Sequence, residues 1–202
     1  MYEHNRQPTE KAETGGILME IIQAIKETRS TRIFSNEPFP IDIVKSIVEL
    51  AGQAPSGLNK QPWLYCIVSN LSIKETIKKE CEYVETAFYN RMGKKGNEFL
   101  SMDISIKKPF LTEAPYLVCL FGDVSAPYYK ESVWISVGWF MLAAKSMGLS
   151  SLTYTPERMD FLNEILGVSG QYFPEVIFPL GYGKKGGLKS RKNFNDIGRI
   201  YE

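Results

Sequence analysis

Ile17, Ile21, Ile22 and Ile25 recur at helical spacing, with Glu20, Gln23 and Lys26 between them, and predict an amphipathic helix. A second helix is expected after Pro40, with Ile43, Val44, Ile47, Val48 and Leu50 as its apolar face. It should stop between Gly52 and Pro55, because a proline disfavours helix for the residue before it. Residues 63–69 (WLYCIVS) and 115–122 (PYLVCLFG) are apolar and rich in strand formers, so each predicts a buried strand. Between them, Ser72 and Glu75 fit a capping box opening a long charged helix over 72–92. Residues 93–109 have no clear period and read as a loop or mobile segment. A helix over 130–147 should end at Gly148 and lead into a short strand, SSLTYT. Pro156 suits the first turn of a further helix ending at Gly167. EVIFPLGYG (175–183) predicts the last strand, and a basic tail closes the chain.

Strands and helices interleave after residue 40, an α/β or α+β pattern. No repeat or linker divides the 202 residues, so residues 16–202 are expected to form one domain behind a polar leader, 1–15. The leader has no apolar stretch of the signal-peptide kind. Residues 133–144 (VWISVGWFMLAA) are about half the length a bilayer requires and read as a buried helix. Within it, Trp134, Trp139 and Phe140 are expected at a subunit interface. Twenty-four basic against 23 acidic residues leave a net charge of +1, which argues against nucleic acid or a membrane surface as partner. Cys66, Cys81 and Cys119 include no C-x-x-C pair, so reduced structural thiols and a cytoplasmic location are expected.

His4 is the single histidine. A metal site of the usual nitrogen and sulfur type is therefore not expected, nor a histidine-based relay. An enzyme with this composition would leave its chemistry to a bound cofactor. Two stretches could hold one. TRSTRIFSNEPFP (28–40) puts Arg29 and Arg32 around Ser30, and the planar, permanently charged guanidinium suits a phosphate. The same four residues also suit a solvated helix end, where basic side chains face the negative end of the dipole. APSGLNKQPW (54–63) holds an irregular backbone that offers Ser56, Asn59 and Gln61, and it reads equally as a ligand loop or an ordinary turn. Glu157, Arg158 and Asp160 read as exposed helix-start residues.

The order of these two stretches, followed by EAPYLVCLFGD, ISVGWFMLAAKSMGLSS, FPLGYG and LKSRKNFNDI, resembles the FMN-dependent nitroreductase family over nearly the whole chain after residue 16. RMG (91–93) and LTYTPERMDFLNEILG (152–167) are similar to the iodotyrosine deiodinase-like branch within it. The resemblance implies an α+β nitroreductase-like fold, with a central mixed sheet flanked by helices, in an intertwined homodimer. It implies FMN bound by Arg29, Ser30, Arg32 and Arg191 at the phosphate and ribityl chain. Pro55, Ser56, Gly57 and Asn59 would come from the partner subunit, and Thr153, Tyr154 and Thr155 would run beside the ring, with the Thr155 hydroxyl near N5. Relatives carry a basic residue where this chain has Thr28, and Lys189, Arg191 or Lys192 would compensate.

The implied activity is NAD(P)H-dependent reduction of a small aromatic acceptor: a nitroaromatic, a quinone or a halophenol. The donor, NADPH or NADH, would exchange hydride at flavin N5 in ping-pong fashion. A non-catalytic flavin carrier or sensor is the reading from another class. The deiodinase branch offers reductive dehalogenation of halotyrosines as a further alternative, and it implies an acidic residue, a tyrosine and a lysine clamping an amino-acid zwitterion from a lid, here 83–109. Counting back from RMG places the first two at Val84 and Phe88, with Glu85 and Tyr89 about 100° away on an ideal helix. Lys108 matches the third. Tyr83, Phe88 and Tyr89 would instead form an apolar lid against an aromatic acceptor, or simply pack.

Overall fold

The computed structural model describes residues 21–93, 105–184 and 190–201. Four strands form one sheet in the order β1-β2-β4-β3: β1 is Trp63–Val68, β2 Tyr116–Asp123, β3 Ser150–Ser151 and β4 Tyr172–Gly181. All three ladders are antiparallel. The parallel component of the expected mixed sheet is a single bridge among the described residues, Ser30 to Ser151.

Side chains alternate across a strand, so a strand covered on both faces must be apolar throughout. β2 shows this directly. Leu117, Cys119 and Phe121 join one core cluster, whereas Val118 and Leu120 join the other. The first cluster is covered by α3 (Leu71–Met92), α4 (Phe110–Glu113) and α6 (Phe161–Leu166), which supply Ile77, Cys81, Leu111 and Leu162. The second is covered by α2 (Ile41–Ala51) and α5 (Tyr129–Ser146). There Phe140 stacks on Phe178 with ring centroids 4.2 Å apart. Phe140 therefore belongs to the core of the chain, not to a subunit interface, while Trp134 and Trp139 of the same helix are 40% and 44% exposed.

Several expected boundaries shift for local reasons. Over its described residues, Ile21–Glu27, α1 buries only Ala24 and leaves Ile21, Ile22 and Ile25 exposed. In α2 the buried stripe is Val44, Ile47 and Ala51, and Leu50 faces out. β1 is only half-buried because it is an edge strand. Asn70, not Ser72, caps α3, its side chain accepting the Ile73 amide at 3.1 Å. Asn70→Ala should lower stability by about 1 kcal/mol in urea unfolding. The helix ending at Gly167 starts at Phe161, well after Pro156. Two short helices, α4 and α7 (Phe194–Ile197), escape the periodicity altogether. The expected leader and most of the irregular part of the expected lid lie outside the described residues.

The three cysteines are free, with Cys66 and Cys119 opposite each other on β1 and β2. Burial pushes the thiols of Cys81 and Cys119 up, so both stay protonated.

Candidate active site

α1 ends at Glu27, and Thr28 closes it by donating its hydroxyl to the Ala24 carbonyl at 2.7 Å. The chain then runs extended, and the Ser30–Ser151 bridge ties it to β3. Alternation splits the opening motif between two clefts. Arg29 and Thr31 line the first, of about 290 Å³, together with Lys145, Ser150, Gly183 and Lys184. Arg32 lines the second.

Arg29 carries both of its sequence readings at once. One guanidinium nitrogen caps the helix end by donating to the carbonyls of Lys26 and Thr28, at 2.9 and 2.7 Å. Its Nε is buried with no hydrogen-bond partner among the described residues. An orphaned charged donor beside lysines is what an anion site requires. Gly183 keeps the cleft narrow: a Cβ there would lie 2.5 Å from Thr31 Cγ2 and 2.6 Å from Ser150 Cβ. Sequence reading missed Gly183, the last residue of the last predicted strand, and Lys184 just past it.

The second cleft, of about 350 Å³, is lined by Arg32, Glu85, Tyr89, Lys108 and Thr153 to Thr155, with Phe110 and Leu152 among its apolar walls. Two backbone bonds between Tyr154 and Ile177 hold the 153–155 segment against β4, at 3.0 and 2.9 Å. Val84 is buried, and Phe88 is outside the cleft lining. Glu85 and Tyr89, and not the Val84 and Phe88 counted from RMG, are therefore the α3 residues that line this cleft. Ile77, Cys81 and Val84 occupy the core face of α3, which turns the next face, with Glu85 and Tyr89, toward Lys108. That apolar stripe was legible in the sequence and would have set the phase. Tyr83 is 72% exposed and lies outside the cleft lining.

Lys108 and Glu85 form an ion pair inside the cleft. Lys108 is buried, with Nζ 3.4 Å from Glu85 Oε2 and donating to the Ser105 carbonyl at 2.7 Å. Its backbone amide donates to Glu82 Oε1 at 2.8 Å. The Tyr154 hydroxyl donates to Glu85 Oε1 at 2.9 Å. Burial, with Cys81 and Glu85 beside it, pushes the Tyr154 phenol well above its usual range, so the proton stays on the tyrosine. Burial and then the Glu85 charge raise Tyr89 as well.

Pro55, Ser56, Gly57 and Asn59 line neither cleft; they form a loop packed on the start of α5, where the Gly57 amide donates to Ser132 Oγ at 3.0 Å. Leu58, Asn59 and Gln61 have positive φ, and Leu58 is 77% exposed. Strain of this kind persists only where the surroundings or a function hold it. Arg191 is exposed and lines neither cleft. Glu157 pairs with Arg91, and Arg158 with Asp160 at 2.8 Å, so these remain surface pairs.

Two helix-covered faces on a four-stranded antiparallel sheet, with clefts on either side of the extended 28–32 segment, define a nitroreductase-like fold. Residues 25–182 match the nitroreductase family, and the chain belongs to it. Its similarity is to the iodotyrosine deiodinase branch. It is 37% identical over 158 residues to the iodotyrosine deiodinase of Thermotoga neapolitana, covering 78% of this chain and 85% of the relative. With that of Haliscomenobacter hydrossis it shares 36% over 183 residues, covering 84% and 82%. A crystal structure of oxidised iodotyrosine deiodinase bound to FMN and 3-iodo-L-tyrosine superposes with a TM-score of 0.80 at 34% identity, covering 86% of this chain and 95% of that one.

Proposed function

We propose that this protein is an FMN-dependent reductive dehalogenase of halotyrosines, with NADPH or NADH as the source of electrons. The observation that carries this reading is the convergence of Glu85, Tyr89 and Lys108 on the cleft that also holds Thr153 to Thr155. A carboxylate and an ammonium in one apolar-walled cleft complement the ammonium and carboxylate of an amino acid, and the phenol and aromatic wall suit its ring. The broader expectation of nitroaromatic, quinone or halophenol acceptors narrows accordingly.

The residues present fit FMN. Arg29, with its unpartnered Nε, and Lys184 would hold the phosphate in the first cleft, helped by Ser30 between the two. Arg32 and the 153–155 segment would hold the ring in the second. When bound, FMN supplies two electrons which, with two protons, replace the carbon–halogen bond by carbon–hydrogen and release hydrogen halide. The chain's own part is to orient the acceptor through its zwitterion, exclude water and keep donors fixed.

Two copies would complete the site. Exposed Leu58 on its strained loop, Trp134, Ile135 and Trp139 on α5, and Phe194 and Ile197 on α7 support a homodimer in which the 55–59 loop serves the partner's cleft.

Flavin fluorescence of the FMN-loaded protein, titrated with 3-iodo-L-tyrosine and with 2-iodophenol, tests the reading. Tighter binding of the amino acid is expected; equal binding would contradict it. Thr155→Ala should shift the midpoint potential of bound FMN while the flavin-to-protein ratio is maintained. An unchanged potential would remove Thr155 from the site.

A further inference from the structure

Besides Tyr89 on its own helix, Glu85 has two partners of different kinds from elsewhere in the chain. Lys108 is a counter-ion that a zwitterionic acceptor would draw away, because the acceptor carboxylate competes with Glu85 for the same ammonium. Tyr154 is different: its hydroxyl is neutral, donates to the other carboxylate oxygen, and rides on a segment bonded through its backbone to β4. Its ring is packed edge-on against Phe110, with centroids 5.3 Å apart, and is itself buried.

We propose that Tyr154 is a positioning residue for acceptor selection: it holds Glu85 in place while Lys108 exchanges Glu85 for the acceptor carboxylate, leaving Glu85 Oε2 free for the acceptor ammonium. The exchange conserves charge, since one buried pair becomes two, each of one cation and one anion. Without the Tyr154 hydroxyl, Glu85 loses its hydrogen bond to the segment anchored on β4 and keeps only Lys108 and the Tyr89 of its own helix. Acceptors bearing an ammonium then lose their advantage, whereas a phenol without the amino-acid group never used it. This rests on the dehalogenase reading given above.

The test uses the full-length FMN-loaded protein, reduced with dithionite, as wild type, Tyr154→Phe, Glu85→Gln and the double variant. Iodide release is measured from 3-iodo-L-tyrosine and from 2-iodophenol. In Tyr154→Phe the ratio of kcat/KM for the amino acid to that for the phenol should fall about tenfold, mainly through KM, as expected for one hydrogen bond to a charged group. In the Glu85→Gln background the same substitution should leave that ratio unchanged, because the group it acts through has gone. A fall in both acceptors together, or a loss that persists with Glu85→Gln, would overturn the proposal and make Tyr154 a packing residue. If the wild type shows no preference for the amino acid, the dehalogenase reading fails, and this inference with it. That result is visible without any variant, so the two failures are distinguishable.

Discussion

Lys108→Ala should lower the ratio of kcat/KM for 3-iodo-L-tyrosine to that for 2-iodophenol by on the order of a hundredfold. The side chain is buried and ion-paired, and removing one partner of a desolvated pair leaves the other charge uncompensated. Two losses combine for the amino acid: its carboxylate meets no cation, and Glu85 stands unpaired until the acceptor ammonium arrives. The local backbone should survive, because the amide of residue 108 stays bonded to Glu82. Equal losses on both acceptors would mean that Lys108 holds the segment, not the zwitterion.

Gly183→Ala should be the most damaging single methyl in the chain's first cleft. The added Cβ would lie within 3 Å of Thr31 Cγ2, Ser150 Cβ and Ser150 Oγ. Thr31 and Ser150 could turn their outer atoms aside, but Ser150 Cβ is fixed to the backbone of β3. The extended segment must therefore move, although three backbone bonds tie it down: Thr31 to Ser151, Ser35 to Tyr182 and Lys184 to Ile33. Overpacking of this kind costs about 1–3 kcal/mol. The displaced residues include Arg29 and Arg32, so retained FMN should fall together with the urea midpoint. Wild-type flavin content at reduced stability would separate Gly183 from the cofactor site.

Much of the fold was legible because its central strands are covered on both faces. The runs at 116–123 and 172–181 have no polar alternation, and only a strand between two helix layers asks for that. Short elements were not legible: α4 and α7 have four residues each, too few for a period to register. The start of α6 was misplaced because proline suits a first turn but does not require one. At the site, the 28–32 motif stood out by its residue types, whereas Lys108 was placed by resemblance. Val84 and Phe88, counted from a motif at the end of α3, fall one position away from Glu85 and Tyr89, which line the cleft. A helix takes its phase from what it buries, and Ile77, Cys81 and Val84 set it here. Tyr154 was placed beside the flavin ring on resemblance, yet its hydroxyl reaches Glu85, a contact 69 residues apart in sequence that no local pattern records.

The central claim is that reduced FMN on this protein removes iodide from a zwitterionic phenol. A single anaerobic turnover tests it most directly: the FMN-loaded protein is reduced with dithionite, freed of excess reductant and mixed with one equivalent of 3-iodo-L-tyrosine. The oxidised flavin absorbance should return as L-tyrosine and iodide form in equal amounts. Flavin that stays reduced, with 3-iodo-L-tyrosine recovered intact, would contradict it.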